Sequence, residues 1–382
     1  MLRIGLTGGG SGGHIYTLLA VAENLKKIVE SGGESIELRY FGDPKEYEPR
    51  FAGAGIKITH ITPSKLRRYF SILTIIDLFK FVWSIPQALF KLLFLMPDVL
   101  FSKGGPGALP VLYAARFYRI PIVIHDSDAI PGLTTRLSQK FSKIIELAFP
   151  KAIEYISNKS AGKVVGNPVR NEVLLTSEEK TPDGKTFSKS KLDFNPDMPL
   201  ILIIGGSLGA GAINECVLGG LRLLLARYQI LHQIGINNFD EYIVAAKKEL
   251  ESLPPPISLK YKPVPFLQSD MRHALSAADI IISRAGAGAI FEIAASEKPS
   301  ILIPLENSAN NHQKENAFAY EDAGACVIIE EANLFPDILI TEIDKILNNP
   351  EQLLKMKESA KNFYRPNAAQ IIATDLINLA KS

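Results

Sequence analysis

Cysteine is scarce in this chain. Cys216 and Cys326 are the only two in 382 residues, neither belongs to a CxxC pair, and both fall in apolar runs. Buried free thiols in a reducing compartment are the reading that remains. Net charge is scarce too. Forty-two basic against 40 acidic side chains leave +2, which gives no global case for a nucleic-acid partner and leaves room only for a local basic patch. No leader peptide is legible, because Leu2, Ile4 and Leu6 alternate with other residues and run straight into a glycine cluster, as a first strand does. A clean membrane-spanning run is also missing. Residues 72–96 are the most apolar stretch, but Asp77, Lys80, Pro86 and Lys91 interrupt it. A spanning helix wants about twenty apolar residues with few or no charges, so this segment reads as a surface helix.

What is present is a globular composition, 47% hydrophobic and 21% charged, on a length suited to two domains. Short β-rich runs alternate with helical patterns. Strands are expected at residues 3–6, 36–41, 57–61, 99–101, 122–125 and 143–148, and again at 200–204, 229–233, 258–261, 279–283, 300–303 and 326–329. After His14, the apolar positions Ile15, Leu18, Leu19, Ala22, Leu25 and Val29 keep helical spacing. Alternating strand and helix implies an α/β chain of two Rossmann-like, doubly wound parallel sheets. The turn signal Gly166-Asn167-Pro168 places a hinge near residues 166–170, and the polar segment 176–197 reads as a surface loop opening the second domain. Ligands of such sheets bind at the carboxyl ends of the strands, so two such domains would face a central cleft lined by both sets of strand ends.

The unusual residues fall at those ends. Thr7-Gly8-Gly9-Gly10-Ser11-Gly12-Gly13-His14 follows the first strand. Gly8, Gly10 and Gly13 match a dinucleotide fingerprint literally, a weak signal alone, and its acidic partner would be Asp43, somewhat far along. The P-loop reading fails because His14 and Ile15 stand where Lys and Ser/Thr are needed. Three more glycine turns follow strands: Ser102-Lys103-Gly104-Gly105-Pro106-Gly107, Gly205-Gly206-Ser207-Leu208-Gly209-Ala210, and Ser283-Arg284-Ala285-Gly286-Ala287-Gly288-Ala289. One such turn is ordinary packing. Four, two in each half, point to phosphate-bearing ligands held by backbone N–H groups and helix N-termini.

Taken together, TGGGSGGHIYTLLAVAENL from Thr7, HDSDAIPGLTTRL from His125, VVGNPVR from Val164, GGSLGA from Gly205, SRAGAGAIFEIAA from Ser283 and HQKENA from His312 resemble the MurG family. These are the lipid-intermediate N-acetylglucosaminyltransferases of peptidoglycan synthesis, and the resemblance spans nearly the whole chain. It implies a GT-B fold: residues 1–165 as the acceptor and membrane-associated domain, 166–365 as the UDP-sugar donor domain, and a last helix, about 366–382, packing back on the first domain. It implies transfer of GlcNAc from UDP-GlcNAc to the 4-hydroxyl of MurNAc in undecaprenyl-diphospho-MurNAc-pentapeptide, with inversion, by a cytoplasmic enzyme peripheral on the inner face of the cell membrane. The other UDP-sugar transferases of this fold, acting on a lipid acceptor such as diacylglycerol, are the nearest alternative.

Carried onto this chain, the resemblance implies donor contacts from Ser11, Gly12, Gly13, Asp128, Arg170, Ser207 and Gln313, with Leu267 near the uracil. Ala287, Gly288, Ala289, Ile290 and Phe291 would form the diphosphate turn, and Glu292 would bind the ribose hydroxyls. Gly104, Gly105 and Asp126 would lie on the acceptor side. His14 suits a general base in type, since an ordinary histidine titrates near working pH. It could also merely cap its helix, and Asp126 and Asp128 are rival bases. No metal and no cofactor are expected: the donor half has no Asp-x-Asp at a strand end, and Asp126-Ser127-Asp128, which fits that pattern, stands where the family's residues are not ligands. Three departures bear on fine contacts. HDSD replaces the common HEQN, Pro106 a tyrosine, and Leu208 a glutamine. A nicotinamide oxidoreductase would leave the second-half turns unexplained. A binding protein without turnover is a further possibility that HDSD leaves open.

Overall fold

The computed structural model describes residues 1–10, 12–63, 72–206, 209–251, 253–267, 269–306, 308 and 311–382. Within them the chain forms two compact units, Met1–Arg170 with Arg365–Ser382, and Asn171–Tyr364. The first is built on β1 (Leu2–Thr7), β2 (Ile36–Gly42), β3 (Lys57–His60), β4 (Val99–Ser102), β5 (Ile122–Asp126), β6 (Ile144–Leu147) and β7 (Gly162–Val164), in the order β3-β2-β1-β4-β5-β6-β7. The second holds β8 (Leu200–Ile204), β9 (Gln229–Gln233), β10 (Tyr261–Val264), β11 (Ile280–Ser283), β12 (Ser300–Leu302) and β13 (Cys326–Ile328), in the order β10-β9-β8-β11-β12-β13. Every ladder is parallel.

Parallel strands are covered on both faces, so their sequences run apolar without alternation. β8 is Leu-Ile-Leu-Ile-Ile and is buried throughout. In the first unit α1 (Gly12–Ser31) sends Ile15, Leu18, Ala22, Leu25 and Val29 into the core. The C-terminal helix Ala368–Lys381 completes that same core with Ile372, Ala373, Leu376 and Ile377, and Asp375 on it pairs with Lys163 of β7 at 2.7 Å. Each fully buried Leu or Ile of this kind contributes about 1.5–3 kcal/mol.

The apolar segment is helical. α2 (Ile72–Leu95) buries Ser84, Ala88 and Leu92 and packs on α3 (Leu109–Phe117). Its outer side carries Phe79 and Trp83, 72% and 64% exposed, with Phe90, Leu93 and Phe94 further along. By length and composition alone, Asp77–Leu95 reaches the range of a membrane-crossing helix. Lys65, Arg67, Arg68 and Phe70, which precede it in the sequence, lie outside the described residues.

Two expectations need correcting, and one strand is additional. Segment 176–197 is not simply a loop, since α4 (Pro182–Lys191) forms inside it. Thr181 caps its first turn by accepting from Gly184 N–H at 3.2 Å, Pro182 opens it, and Lys185 and Lys189 anchor it to Asp279. Capping and ion pairs replaced the apolar stripe that periodicity looks for. The strand expected at 258–261 lies instead at Tyr261–Val264, because Pro255 opens a short helix through Ser258. Pro263 is tolerated there because β10 is an edge strand. β7 was not anticipated at all.

His232 is core. It is fully buried, with Nδ1 2.9 Å from the Tyr261 hydroxyl and Nε2 3.2 Å from Oδ1 of Asn214. Loss of water pushes its pKa down to about 3. The folded state therefore refuses a proton that the unfolded chain accepts near pH 6.5. This cost is absent above that pH and grows as pH falls toward 3, by about 1.4 kcal/mol per unit. The thermal midpoint should thus fall on acidification from about pH 6.5 to 4 more steeply in wild type than in His232→Gln. Parallel slopes for the two proteins would contradict this.

Candidate active site

Strand order reverses between β1 and β4 in the first sheet and between β8 and β11 in the second. At such a point the connections leave to opposite faces and open a crevice at the strand ends. All four glycine turns stand at these two places, one after each of β1, β4, β8 and β11.

In the first unit the turns after β1 and β4 touch. Lys103 N–H donates to the Thr7 carbonyl at 2.9 Å, prolonging the ladder past the strand ends. The Tyr40 hydroxyl donates to the Gly8 carbonyl at 3.0 Å. A Cβ on Gly9 would lie 2.4 Å from Nδ1 of His14, and one on Gly105, at φ +86°, would lie 2.9 Å from the Gly9 nitrogen and 3.3 Å from Cε1 of His14. Both positions must therefore be glycine for the imidazole to sit here. His14 is half-buried as a residue, yet its ring is closely enclosed. Desolvation, then the ammonium of Lys103, push its pKa down to about 4, while Asp128 and a hydrogen bond with the Gly9 backbone oppose them.

The turn after β5 lies beside these two. His125 is fully buried, with Nε2 2.8 Å from the Gly166 carbonyl oxygen. Asp126 accepts from the N–H groups of Asp128 at 3.1 Å and Gly132 at 2.9 Å, and from the Thr135 side chain. Its carboxylate thus holds the loop together. Burial and then the neighbouring Asp128 still raise its pKa. Arg170 belongs to this unit and stacks its guanidinium over Tyr16, 4.4 Å from the ring centre. Gly12 and Gly13 open α1, where Thr17 donates to the Gly13 carbonyl at 3.0 Å.

In the second unit the turns after β8 and β11 line a cavity of about 550 Å³. Of the expected donor residues it gathers Ala289 and Gln313, together with Gly205, Gly206, Ser283, Arg284 and Gly286. α5 (Gly211–Arg227) leaves from the first turn and α6 (Ala287–Ala295) from the second. The first amide of α6 with an acceptor inside its own turn is Ile290, bonded to Gly286 at 3.1 Å. The amides of Ala287, Gly288 and Ala289 precede it and suit an oxyanion. The side chains of Ile290 and Phe291 are buried. Glu292, partly buried, follows one turn beyond Gly288. Gln313 opens α7 (His312–Asp322), its side-chain oxygen accepting from Leu305 N–H at 3.1 Å. Arg284, unassigned in the sequence, pairs with Glu331 at 2.7 Å. Ser11 and Ser207 lie outside the described residues.

Sequence reasoning missed Gln233. It is buried at the end of β9, donating to the Gly206 carbonyl at 3.0 Å and accepting from Leu267 N–H at 3.0 Å. One amide thus ties the glycine turn to the loop expected at the uracil. A polar residue closing an apolar strand was the available signal. Asn316 does similar work, donating to the Ala285 carbonyl at 3.4 Å.

Two doubly wound parallel sheets, each with oxyanion-ready turns at its switch point, are the build of a GT-B glycosyltransferase. Residues 4–145 match the glycosyltransferase family 28 N-terminal domain and residues 200–372 its C-terminal domain. A Clostridium kluyveri protein named UDP-N-acetylglucosamine–N-acetylmuramyl-(pentapeptide) pyrophosphoryl-undecaprenol N-acetylglucosamine transferase is 35% identical over 363 residues, 94% of this chain and 96% of that one. A Treponema denticola protein of the same name is 34% identical, covering 95% and 92%. The crystal structure of MurG from Acinetobacter baumannii superposes with a TM-score of 0.74 at 26% identity, over 99% of this chain and 100% of that one. The chain belongs to this family of N-acetylglucosaminyltransferases.

Replacing Gln233 by leucine leaves the Gly206 carbonyl and the Leu267 amide without their shared partner. UDP binding, measured by calorimetry, should weaken roughly tenfold, about 1.4 kcal/mol, with little change in thermal midpoint beyond the loss of two hydrogen bonds. Unchanged affinity would remove Gln233 from the nucleotide site.

Proposed function

We propose that this chain transfers GlcNAc with inversion from UDP-GlcNAc to the 4-hydroxyl of MurNAc in undecaprenyl-diphospho-MurNAc-pentapeptide, at the cytoplasmic face of the inner membrane. The observation that carries this reading is the placement of all four glycine turns at the two switch points, with His14 seated in the first pair. In the reaction the acceptor O–H bond breaks and its proton passes to His14. The oxygen pair forms the bond to the anomeric carbon, and the C–O bond to UDP breaks, its pair leaving on the diphosphate. Ala287, Gly288 and Ala289 offer amides to that charge at a helix N-terminus, which carries roughly half a positive charge. Glu292 can accept from both ribose hydroxyls. Asp126 is a weak rival as base, since its lone pairs already serve two backbone amides and Thr135.

The outer side of α2 supports a membrane role. Phe79, Trp83, Phe90 and Phe94 form an exposed apolar face on a helix that also bears Lys80. Such a face suits a helix lying at an anionic lipid surface.

UDP release from UDP-GlcNAc with a short-chain lipid I analogue should depend on the acceptor and fall by two or more orders of magnitude in His14→Ala. Acceptor-dependent release that survives the change would move the base to Asp128. Release with a diacylglycerol acceptor in place of lipid I would replace the acceptor assignment. Separately, Phe79→Ser with Trp83→Ser should cut sedimentation with phosphatidylglycerol vesicles severalfold and leave turnover of a soluble short-chain acceptor intact. Undiminished sedimentation would remove α2 from the membrane contact.

A further inference from the structure

Lys103 sits where a charge is costly. It is 2% exposed, and among the described residues its Nζ has no hydrogen-bond partner. A buried ammonium left unpaired normally destabilises the fold, and an apolar side chain of similar volume would pack as well. Its stem runs beneath the first glycine turn, since a Cβ on Gly8 would lie 3.2 Å from Cβ of Lys103. Its backbone is tied to Thr7, and the Gly104–Gly105 turn that follows presses on Gly9 and His14.

The charged and titratable groups around the imidazole come from three strand ends. Lys103 stands on the β4 turn, Asp126 and Asp128 on the β5 turn, and His125 on β5 itself, while Tyr40 reaches the Gly8 carbonyl from β2. Lys103 acts unfavourably on the charged forms of His14 and His125 and favourably on the two carboxylates. Asp126 is committed to the loop, whereas Asp128 acts directly on His14. With Lys103 and both carboxylates ionised, the cluster carries one net negative charge, and a proton arriving on His14 neutralises it.

We propose that Lys103 is the positioning residue that, together with burial, holds the His14 ring uncharged until it receives the acceptor proton, and that Asp128 is the counter-ion of the imidazolium so formed. This rests on the reading of His14 as the base. Desolvation, tempered by the two aspartates, brings Lys103 itself down to about 8, so it is charged at neutral pH, where the base must be free. A lysine at this position thus acts on its neighbour's charge and touches no reacting atom.

The test is the titration of His14 itself, followed by NMR in full-length protein carrying ¹⁵N-labelled histidine and assigned with His14→Gln. In Lys103→Met the midpoint should rise by about one unit, a tenfold gain in proton affinity, and in Asp128→Asn it should fall. The acid limb of kcat/KM should move the same way in each variant. The KM for UDP-GlcNAc should stay within about twofold in Lys103→Met, since Lys103 does not touch the donor. A folded Lys103→Met or Asp128→Asn with an unmoved His14 titration overturns the proposal and leaves the base reading standing. A His14→Gln protein with full turnover overturns the base reading, and the proposal with it.

Discussion

The reversal of strand order at β1/β4 and β8/β11 is the constraint on which the rest depends. A parallel sheet wound from one strand outward in both directions leaves a gap where its two sets of connections part company. The chain fills that gap with glycine on both sides, after β1 and β4 in one unit and after β8 and β11 in the other. Absence of side chains lets turns approach one another and lets helix N-termini present bare amides. Both features serve a ligand rich in phosphate and hydroxyl oxygen.

In the first unit that closeness is used to enclose a side chain. Gly9 and Gly105 leave room for the imidazole of His14 and for little else. A ring so enclosed loses its water, and its charge state then passes to its neighbours. Lys103, Asp126 and Asp128 are those neighbours, all delivered by adjacent strand ends. In the second unit the same architecture stays open, giving a cavity lined mostly by backbone and small residues, with Gln233 and Asn316 bracing the loops from behind. One fold thus supplies a desolvated imidazole and, separately, an open nucleotide-sized recess.

Much of this was legible in the sequence. Strands such as β8 and β11 read correctly because burial on both faces writes an unbroken apolar run. The glycine turns read correctly because they break those runs at once. β7 escaped notice because Gly162 and Lys163 carry no apolar pattern and an edge strand needs none. α4 escaped because it is held by a Thr181 cap and by pairs to Asp279, nearly a hundred residues on. Lys103 appeared only as a neighbour of glycines, since no linear pattern says that an ammonium is buried without a partner. Asp126 looked like a rival base, and its carboxylate also accepts from Asp128, Gly132 and Thr135. Arg284 could not be assigned from the sequence and is paired with Glu331. Type and order of elements are local properties, whereas the state of a charged group depends on side chains brought together by the fold.

An enzyme that forms a glycosidic bond with inversion on a lipid-linked muramoyl acceptor, as proposed for this chain, leaves one defined product. The most direct measurement is to isolate the product formed from UDP-GlcNAc and a short-chain lipid I analogue and to read its linkage by NMR and mass spectrometry. The account predicts a single added GlcNAc, β-configured and attached at O4 of the muramoyl sugar. An α-configured linkage, attachment at another oxygen, or free GlcNAc as the sole sugar product would contradict it.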